Sequence, residues 1–245
     1  MRHIILGLTA AASVVAAAPD LTVLSAGAVE EGVVRLAREY ARDTGREIAT
    51  NFGTGPEIEK RLAAGELGDV LIAPAAVVER AVTAGQVMAH TQVAIARVGV
   101  GVAVRHGAPL PDVNTVEALK ASLLRADSVV YNQASTGLYL ERLFGKLGIL
   151  AQLQAKTTRY GNAAQVLEHV IAGRGTEIGF GPITEIKTFE PKGLVLVAPL
   201  PEAVQNYTTY VGVAMRGARS PGAADFVRYL GNAASRKTFA ATGAQ

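Results

Sequence analysis

The chain has 245 residues, 49% of them hydrophobic, and it contains no cysteine. Disulfide bonds, thiolate metal sites and a cysteine nucleophile are therefore excluded, and packing alone must hold the fold. The formal net charge is only +3, and no block of five or more like charges occurs. We therefore expect neither nucleic acid nor an acidic membrane surface as a partner.

The first residues have the three-part layout of a secretory signal peptide. Arg2 precedes an apolar run over about 4–15, and Ala16, Ala17 and Ala18 follow. The competing interpretation, a membrane anchor, requires roughly 20 apolar residues to span a bilayer. We therefore predict a signal peptide over 1–17, and a mature protein that is exported to a bacterial periplasm and is not a transmembrane protein.

Strand-like and helix-like segments alternate almost throughout the chain, which predicts an α/β fold with largely parallel sheets. Two of the strand-like runs exceed the usual five or six residues and are either long central strands or crossings between two lobes. The strands are predicted at 21–25, 48–52, 69–73, 93–104, 129–132, 177–181, 194–198 and 207–215, and the helices near 76–84, 116–124, 163–172 and 221–230.

Three of the predicted strands end in a loop of small residues that opens an amphipathic helix. The loops lie at 26–28, 53–56 and 133–137. Free backbone N–H groups and the positive end of the helix dipole attract anions there without a lysine or arginine. The alternative is that these residues are ordinary helix caps. The candidate ligand-binding residues are Ala26, Gly27, Ala28, Thr54, Gly55, Ser135, Thr136 and Gly137.

Motifs of the common cofactor and metal enzymes do not occur in the sequence. There is no phosphate-binding G-x-x-x-x-G-K-[ST], no complete G-x-G-x-x-G, no H-E-x-x-H and no G-x-S-x-G. The histidines after the leader, His90, His106 and His169, are scattered singly. We therefore expect no cofactor and no metal, and a hydrolase triad would lack a recognisable nucleophile.

Several segments together resemble the molybdate-binding type of periplasmic solute-binding protein. The resemblance implies a type II periplasmic binding protein fold, in which two α/β lobes are joined by two crossover strands and a ligand is held in the cleft between them. It further implies a monomer that delivers its ligand to an ABC permease. We place lobe 1 at 18–101 with 207–245 and lobe 2 at 102–206. The segments are 23–32, 52–65, 68–73, 135–139 and 146–148.

This sequence departs from the family pattern at three positions that contact the oxyanion. Ala28 matches a serine whose hydroxyl binds the ligand, and Thr54 stands alone where the family loop is serine-rich. Pro182, after Gly181, matches a tyrosine. Since a dehydrated oxyanion needs many hydrogen-bond donors, we predict an organic carboxylate as ligand in place of molybdate, with Gly181 and Pro182 in the site.

The segment before the fourth predicted helix offers a guanidinium and an amide to such a carboxylate. Arg159 and Asn162 supply these groups, although a solvated loop arginine is an equally good interpretation of Arg159.

Some relatives of this group are similar to aconitate isomerases, which leaves open an enzyme that acts on an unsaturated polycarboxylate. Its base would be Tyr160 or Glu57, both beside presumed ligand loops. A carboxylate in the first turn of a helix, such as Glu57, is also explained by the helix dipole alone.

Overall fold

The structure, a computed structural model, describes residues 19–245, so the predicted signal peptide lies outside the described residues. Within that range the chain forms nine strands and ten α-helices, with short 3-10 turns between some of them. The strands are β1 Leu21–Ala26, β2 Ile48–Gly53, β3 Val70–Pro74, β4 Val93–Arg105, β5 Ser128–Asn132, β6 Thr157–Tyr160, β7 Glu177–Pro182, β8 Leu194–Pro199 and β9 Tyr207–Ala214. The helices are α1 Glu30–Thr44, α2 Gly55–Ala63, α3 Ala75–Thr83, α4 Val116–Arg125, α5 Ser135–Lys146, α6 Leu150–Gln154, α7 Ala163–Ala172, α8 Ile183–Phe189, α9 Ala223–Leu230 and α10 Ala233–Ala241.

The strands follow the order β2-β1-β3-β9-β4-β7-β5-β6, and β8 pairs with β4 on its other edge. β1 runs parallel to β2 and β3, and β5 runs parallel to β6 and β7. β4 and β9 are antiparallel to their neighbours. Two parallel units of βαβ type therefore flank a central antiparallel pair.

β4 belongs to both halves of the sheet. Its first part, up to Gly99, pairs with β9, and its second part, from Val100, pairs with β7 and β8. The chain returns through the segment that enters β9 at Tyr207, where the Gln205 side chain bonds both the N–H and the C=O of Val100 at 2.9 and 3.0 Å. These are the two connections between the lobes.

The buried apolar side chains form one cluster in the first lobe and two in the second. The first contains residues from 21–98 and 210–244, and the other two contain residues from 100–204. This partition is in keeping with the predicted lobe boundaries, which remain a prediction. Within residues 19–245, no helix is both long enough and apolar enough to cross a bilayer.

All eight predicted strands and the four helices predicted by range form, with ends within two residues of the prediction, and the helices predicted after the three loops are α1, α2 and α5. Four elements were not predicted: β6, α6, α8 and α10. β6 has only four residues, all of them half-buried, so it lacks the apolar run that marked the other strands. α6 and α8 have five and seven residues, too few for a helical period to show.

Candidate functional site

A cavity of about 330 Å³ lies where the two parallel units meet. The loops that follow β1, β2 and β3 form one wall, and those that follow β5, β6 and β7 form the other. Ligands of open α/β sheets bind beyond the carboxyl ends of the strands, which is where this cavity lies. We call this cavity the cleft; its lining residues are Ala26, Gly27, Ala28, Glu30, Phe52, Gly53, Thr54, Gly55, Glu57, Pro74, Asn132, Ala134, Ser135, Thr136, Asn162, Ala163, Ala164, Pro182, Glu185 and Tyr210.

Nine of the twelve predicted ligand-binding residues line the cleft, and Glu57 lines it as well. Gly137, Arg159 and Gly181 do not, and neither does Tyr160. The lining residues include no lysine or arginine among the described part of the chain. Hydrogen-bond donors for an anion must therefore come from backbone N–H groups, hydroxyls and an amide.

The N-terminus of α5 presents backbone and hydroxyl donors together. The buried Asn132 side chain accepts hydrogen bonds from the N–H groups of Ala134 and Gly137, at 3.1 and 3.0 Å. Helix geometry leaves the N–H groups of Ser135 and Thr136 without an intrahelical partner. Both of these residues line the cleft, and each adds a hydroxyl.

Gly137 shapes this helix start, although it does not line the cleft. A Cβ atom at this position would lie 1.6 Å from the carbonyl oxygen of Asn132. Only glycine therefore allows the first turn of α5 to approach the end of β5 this closely.

α7 begins at the cleft in the same way. The Asn162 side chain accepts a hydrogen bond from the N–H of Gln165 at 3.0 Å, which caps the helix. The N–H groups of Ala163 and Ala164 have no intrahelical partner, and both residues line the cleft. The second wall thus carries two helix N-termini whose first backbone N–H groups have no partner within their own helix.

In the loop before α2, the hydrogen-bond donors are already bonded to a side chain of the same loop and helix start. The Glu57 carboxylate accepts hydrogen bonds from the N–H and the hydroxyl of Thr54, at 2.6 and 3.0 Å. The N–H of Glu57 donates to the Thr54 hydroxyl at 3.4 Å, which completes a capping box. Glu57 therefore caps its helix, as the helix-dipole interpretation expects, and it holds the Thr54 hydroxyl that was predicted to bind ligand.

The structure corrects the predicted position of Arg159, because this residue lies in β6 rather than in a loop. Its guanidinium forms an ion pair with Glu141 of α5 and lies 5.4 Å from the centre of the Tyr131 ring. Successive side chains of a strand point to opposite faces. Tyr160, the next residue, accordingly lies on the other face, with its hydroxyl 2.8 Å from Nδ1 of His169 in α7.

Glu185 is a residue of the cleft that sequence analysis missed, and its ionisation is strongly altered. It lies in the first turn of α8 and is partly buried. Burial, and then the charge of Glu30, raise the pKa of Glu185 from 4.5 to about 7. Burial also raises the pKa of Tyr210, with the charge of Glu185 as the second cause. Glu30 itself has a pKa raised by burial.

A hydrogen bond across the two lobes holds α8 against the first wall. The hydroxyl of Thr184 donates to the carbonyl oxygen of Ala28 at 2.6 Å, and Thr184 is buried. Oε1 of Glu185 lies 3.9 Å from the position that a Cβ atom at Gly27 would occupy. The backbone of Glu185 is therefore held beside the loop that follows β1, and its carboxyl lies next to that loop.

Comparison with known proteins places the chain in a family. Residues 21–245 match the family described as bacterial extracellular solute-binding protein. The chain belongs to that family. An aconitate isomerase from Pseudomonas sp is 30% identical to this solute-binding protein, in a match that covers 96% of this chain and 92% of the relative.

Solved structures show that this solute-binding protein has the type II periplasmic binding protein fold, as predicted. The periplasmic molybdate-binding protein of Azotobacter vinelandii superposes with a TM-score of 0.76 at 17% identity, over 92% of this chain and 98% of that one. PEB3 of Campylobacter jejuni with bound L-phospholactate superposes with a TM-score of 0.72 at 15% identity, over 92% of this chain and 99% of that one. The expected resemblance to molybdate binders is thereby confirmed at the level of fold and family.

Two signals could have pointed to the missed residues of this solute-binding protein. Glu185 comes three residues after Pro182, which sequence analysis had placed in the site, and Tyr210 lies within the predicted strand at 207–215. Neither residue belongs to a motif. Their proximity depends on how β9 and α8 meet across the lobes, which local sequence does not reveal.

Proposed function

We propose that the cleft binds a small organic polycarboxylate and that the protein isomerises an unsaturated tricarboxylate such as aconitate. The observation that carries the proposal is the composition of the cleft. Backbone and hydroxyl donors from helix N-termini surround a cavity of about 330 Å³, and the Glu185 carboxyl, with a pKa of about 7, lies among them. The donors at helix N-termini suit an anion, and a carboxyl that titrates near neutrality suits proton transfer.

The comparisons support an organic anion. A full-length relative is an aconitate isomerase, and PEB3, which has the same fold, holds L-phospholactate. Molybdate would need many hydrogen-bond donors, and two of those that the family provides are not available here. Ala28 has no hydroxyl, and the Thr54 hydroxyl is bonded to Glu57. A cavity of this size lies at the small end of the usual range for ligand sites, which suits a compact tricarboxylate.

The chemistry required is a shift of one proton along a three-carbon unit. A proton leaves the methylene carbon of the substrate, the double bond moves by one position, and a proton joins the former alkene carbon. Negative charge develops on the adjoining carboxylate between these events. N–H groups at Ser135, Thr136, Ala163 and Ala164 are placed to stabilise such charge.

A second candidate is a binding protein that delivers an unchanged carboxylate to an ABC permease. The family assignment and the structurally similar binding proteins favour it. In either case we propose a mature, monomeric protein that acts in the periplasm after removal of residues 1–17.

Conversion of cis-aconitate, followed by proton NMR with substoichiometric mature protein, tests the proposal. Thermal unfolding with aconitate, the saturated analogue propane-1,2,3-tricarboxylate, molybdate and sulfate reports binding separately. We expect turnover together with stabilisation by both tricarboxylates. Stabilisation without turnover would select the binding-protein candidate, and stabilisation by molybdate alone would overturn the choice of ligand.

A further inference from the structure

We propose that Glu185 is the catalytic residue that removes the proton from the substrate and returns it. This inference rests on the isomerase function proposed above and names the group that performs it. Three carboxyl groups line the cleft, those of Glu30, Glu57 and Glu185. Their contacts distinguish them.

Glu57 is already engaged, because its Oε2 accepts two hydrogen bonds from Thr54. A base in that position would have to break its own helix cap before it could accept a proton. Glu30, at the start of α1, is largely exposed as a residue, although partial burial of its carboxyl raises its pKa. Tyr160, the other base considered from sequence, has its hydroxyl on His169 and lies outside the cleft.

Glu185 differs from these groups because its carboxyl is available and its backbone is held in place through the neighbouring residue. No hydrogen bond or ion pair to its carboxyl is present within residues 19–245 of the structure. Its neighbour Thr184 is bonded to the Ala28 carbonyl at 2.6 Å, and its Oε1 lies close to Gly27. A carboxyl held on a short helix between the lobes can reach a substrate carbon in the cleft without reorganisation.

The charged and titratable groups around Glu185 favour exchange of a proton near neutral pH. Glu30 approaches from α1 and Tyr210 from β9, and neither supplies a positive charge. Glu31, Arg35 and Arg38 of α1 surround an adjoining cavity. With its pKa near 7, the carboxyl populates both the form that accepts a proton and the form that returns one.

The adjoining cavity gives Glu185 a second opening. This cavity of about 380 Å³ lies between α1 and α8, and Glu185 lines both it and the cleft. Water in that space could reach the carboxyl from the side away from the substrate. The captured proton is therefore expected to exchange with solvent before it returns.

The step balances as a single-base transfer. The C–H bond of the substrate methylene breaks, its electron pair becomes the new C=C bond, and an O–H bond forms on Glu185. The electrons of the old double bond move onto the adjoining carboxylate. Reversal at the former alkene carbon transfers one proton from Glu185 and restores its carboxylate.

Glu185→Gln tests this assignment, because glutamine keeps the shape but cannot accept a proton in this way. The full mature chain is assayed with cis-aconitate in H₂O and in D₂O, and binding is measured with propane-1,2,3-tricarboxylate. We expect at least about a 100-fold loss of turnover, retained thermal stabilisation by the analogue, and loss of deuterium incorporation into aconitate. Glu168→Gln, an exposed change on the neighbouring helix α7, should leave turnover unchanged.

The pH profile provides a readout that a purely structural role would not affect. In the wild type, kcat/KM should rise as pH increases through about 7, where Glu185 loses its proton. Glu30→Gln should move this midpoint to lower pH, because it removes the charge that helps to raise the pKa of Glu185. A wild-type profile without a midpoint near 7 would contradict the assignment.

The remaining outcomes separate the two proposals. Wild-type turnover that survives in Glu185→Gln, or that is lost in Glu57→Gln instead, would overturn the assignment and leave the isomerase function standing. A wild-type protein that binds the analogue but never converts aconitate would overturn both.

Discussion

Arg159 shows how one residue can fit two interpretations in sequence and only one in three dimensions. A guanidinium four residues before a helix start looks well placed for a carboxylate ligand. The side chain in fact packs on the Tyr131 ring and pairs with Glu141. Because β6 was not predicted, the alternation that directs Arg159 away from the cleft could not be applied.

Replacement of Arg159 by alanine should therefore affect stability rather than binding. We expect a loss of about 1 kcal/mol in the free energy of unfolding, since a partly exposed ion pair and a cation–π contact are removed. The dissociation constant for propane-1,2,3-tricarboxylate, measured by calorimetry, should change less than twofold. Arg80→Ala, which removes a more exposed pair with Glu59, is the matched control. Tenfold weaker binding in Arg159→Ala alone would return this residue to the site.

At the scale of elements, the helix N-termini are the part of the site that sequence predicted best. Loops at 26–28, 53–56 and 133–137 were recognised because small residues after a strand and before an amphipathic helix form a local pattern. Whether such donors are free depends on individual side chains a few residues away, which the pattern of small residues does not include. Glu57 fills the donors of Thr54, whereas Asn132 leaves those of Ser135 and Thr136 available.

The two asparagine caps of α7 and α10 allow a matched test of that distinction. Asn162 accepts from the N–H of Gln165 at 3.0 Å, and Asn232 accepts from the N–H of Ser235 at 2.8 Å. Alanine at either position should lower the free energy of unfolding by about 1 kcal/mol, as loss of a helix cap does.

Only Asn162 lines the cleft, so only Asn162→Ala should also weaken tricarboxylate binding, by about tenfold. Chemical denaturation and calorimetry measure the two effects separately. Equal affinities in the two variants would remove the α7 N-terminus from the binding site.

At the scale of the whole molecule, the long periodic elements predicted the α/β class, whereas the two lobes were expected only from the resemblance to the molybdate-binding family. The sequence did not predict the pairing of distant residues across the lobes. Thr184 and Ala28 are 156 positions apart, and their hydrogen bond determines where Glu185 lies. Contacts of this kind arise where the two lobes pack together, so the local sequence does not predict them.

The free energy of unfolding should depend on pH because of Glu185. Its pKa is higher in the folded state than the ordinary 4.5, so the folded protein binds more protons than the unfolded chain between about pH 4.5 and 7. The stabilisation that Glu185 contributes is therefore complete below pH 4.5 and is lost as pH rises through 7.

The wild type should accordingly lose stability relative to Glu185→Gln across this range, by at most about 3 kcal/mol. Urea denaturation of both proteins at several pH values, without ligand, measures the difference. A difference that stays constant from pH 4.5 to 8 would show that partial burial does not raise the pKa of Glu185.

The shared strand β4 has a consequence for how the protein loses its structure. Its first part is paired with β9 in one lobe, and its second part is paired with β7 and β8 in the other. Neither lobe can melt completely without withdrawing a central strand from its neighbour. The two lobes are therefore coupled into one cooperative folding unit, even though each has its own apolar interior.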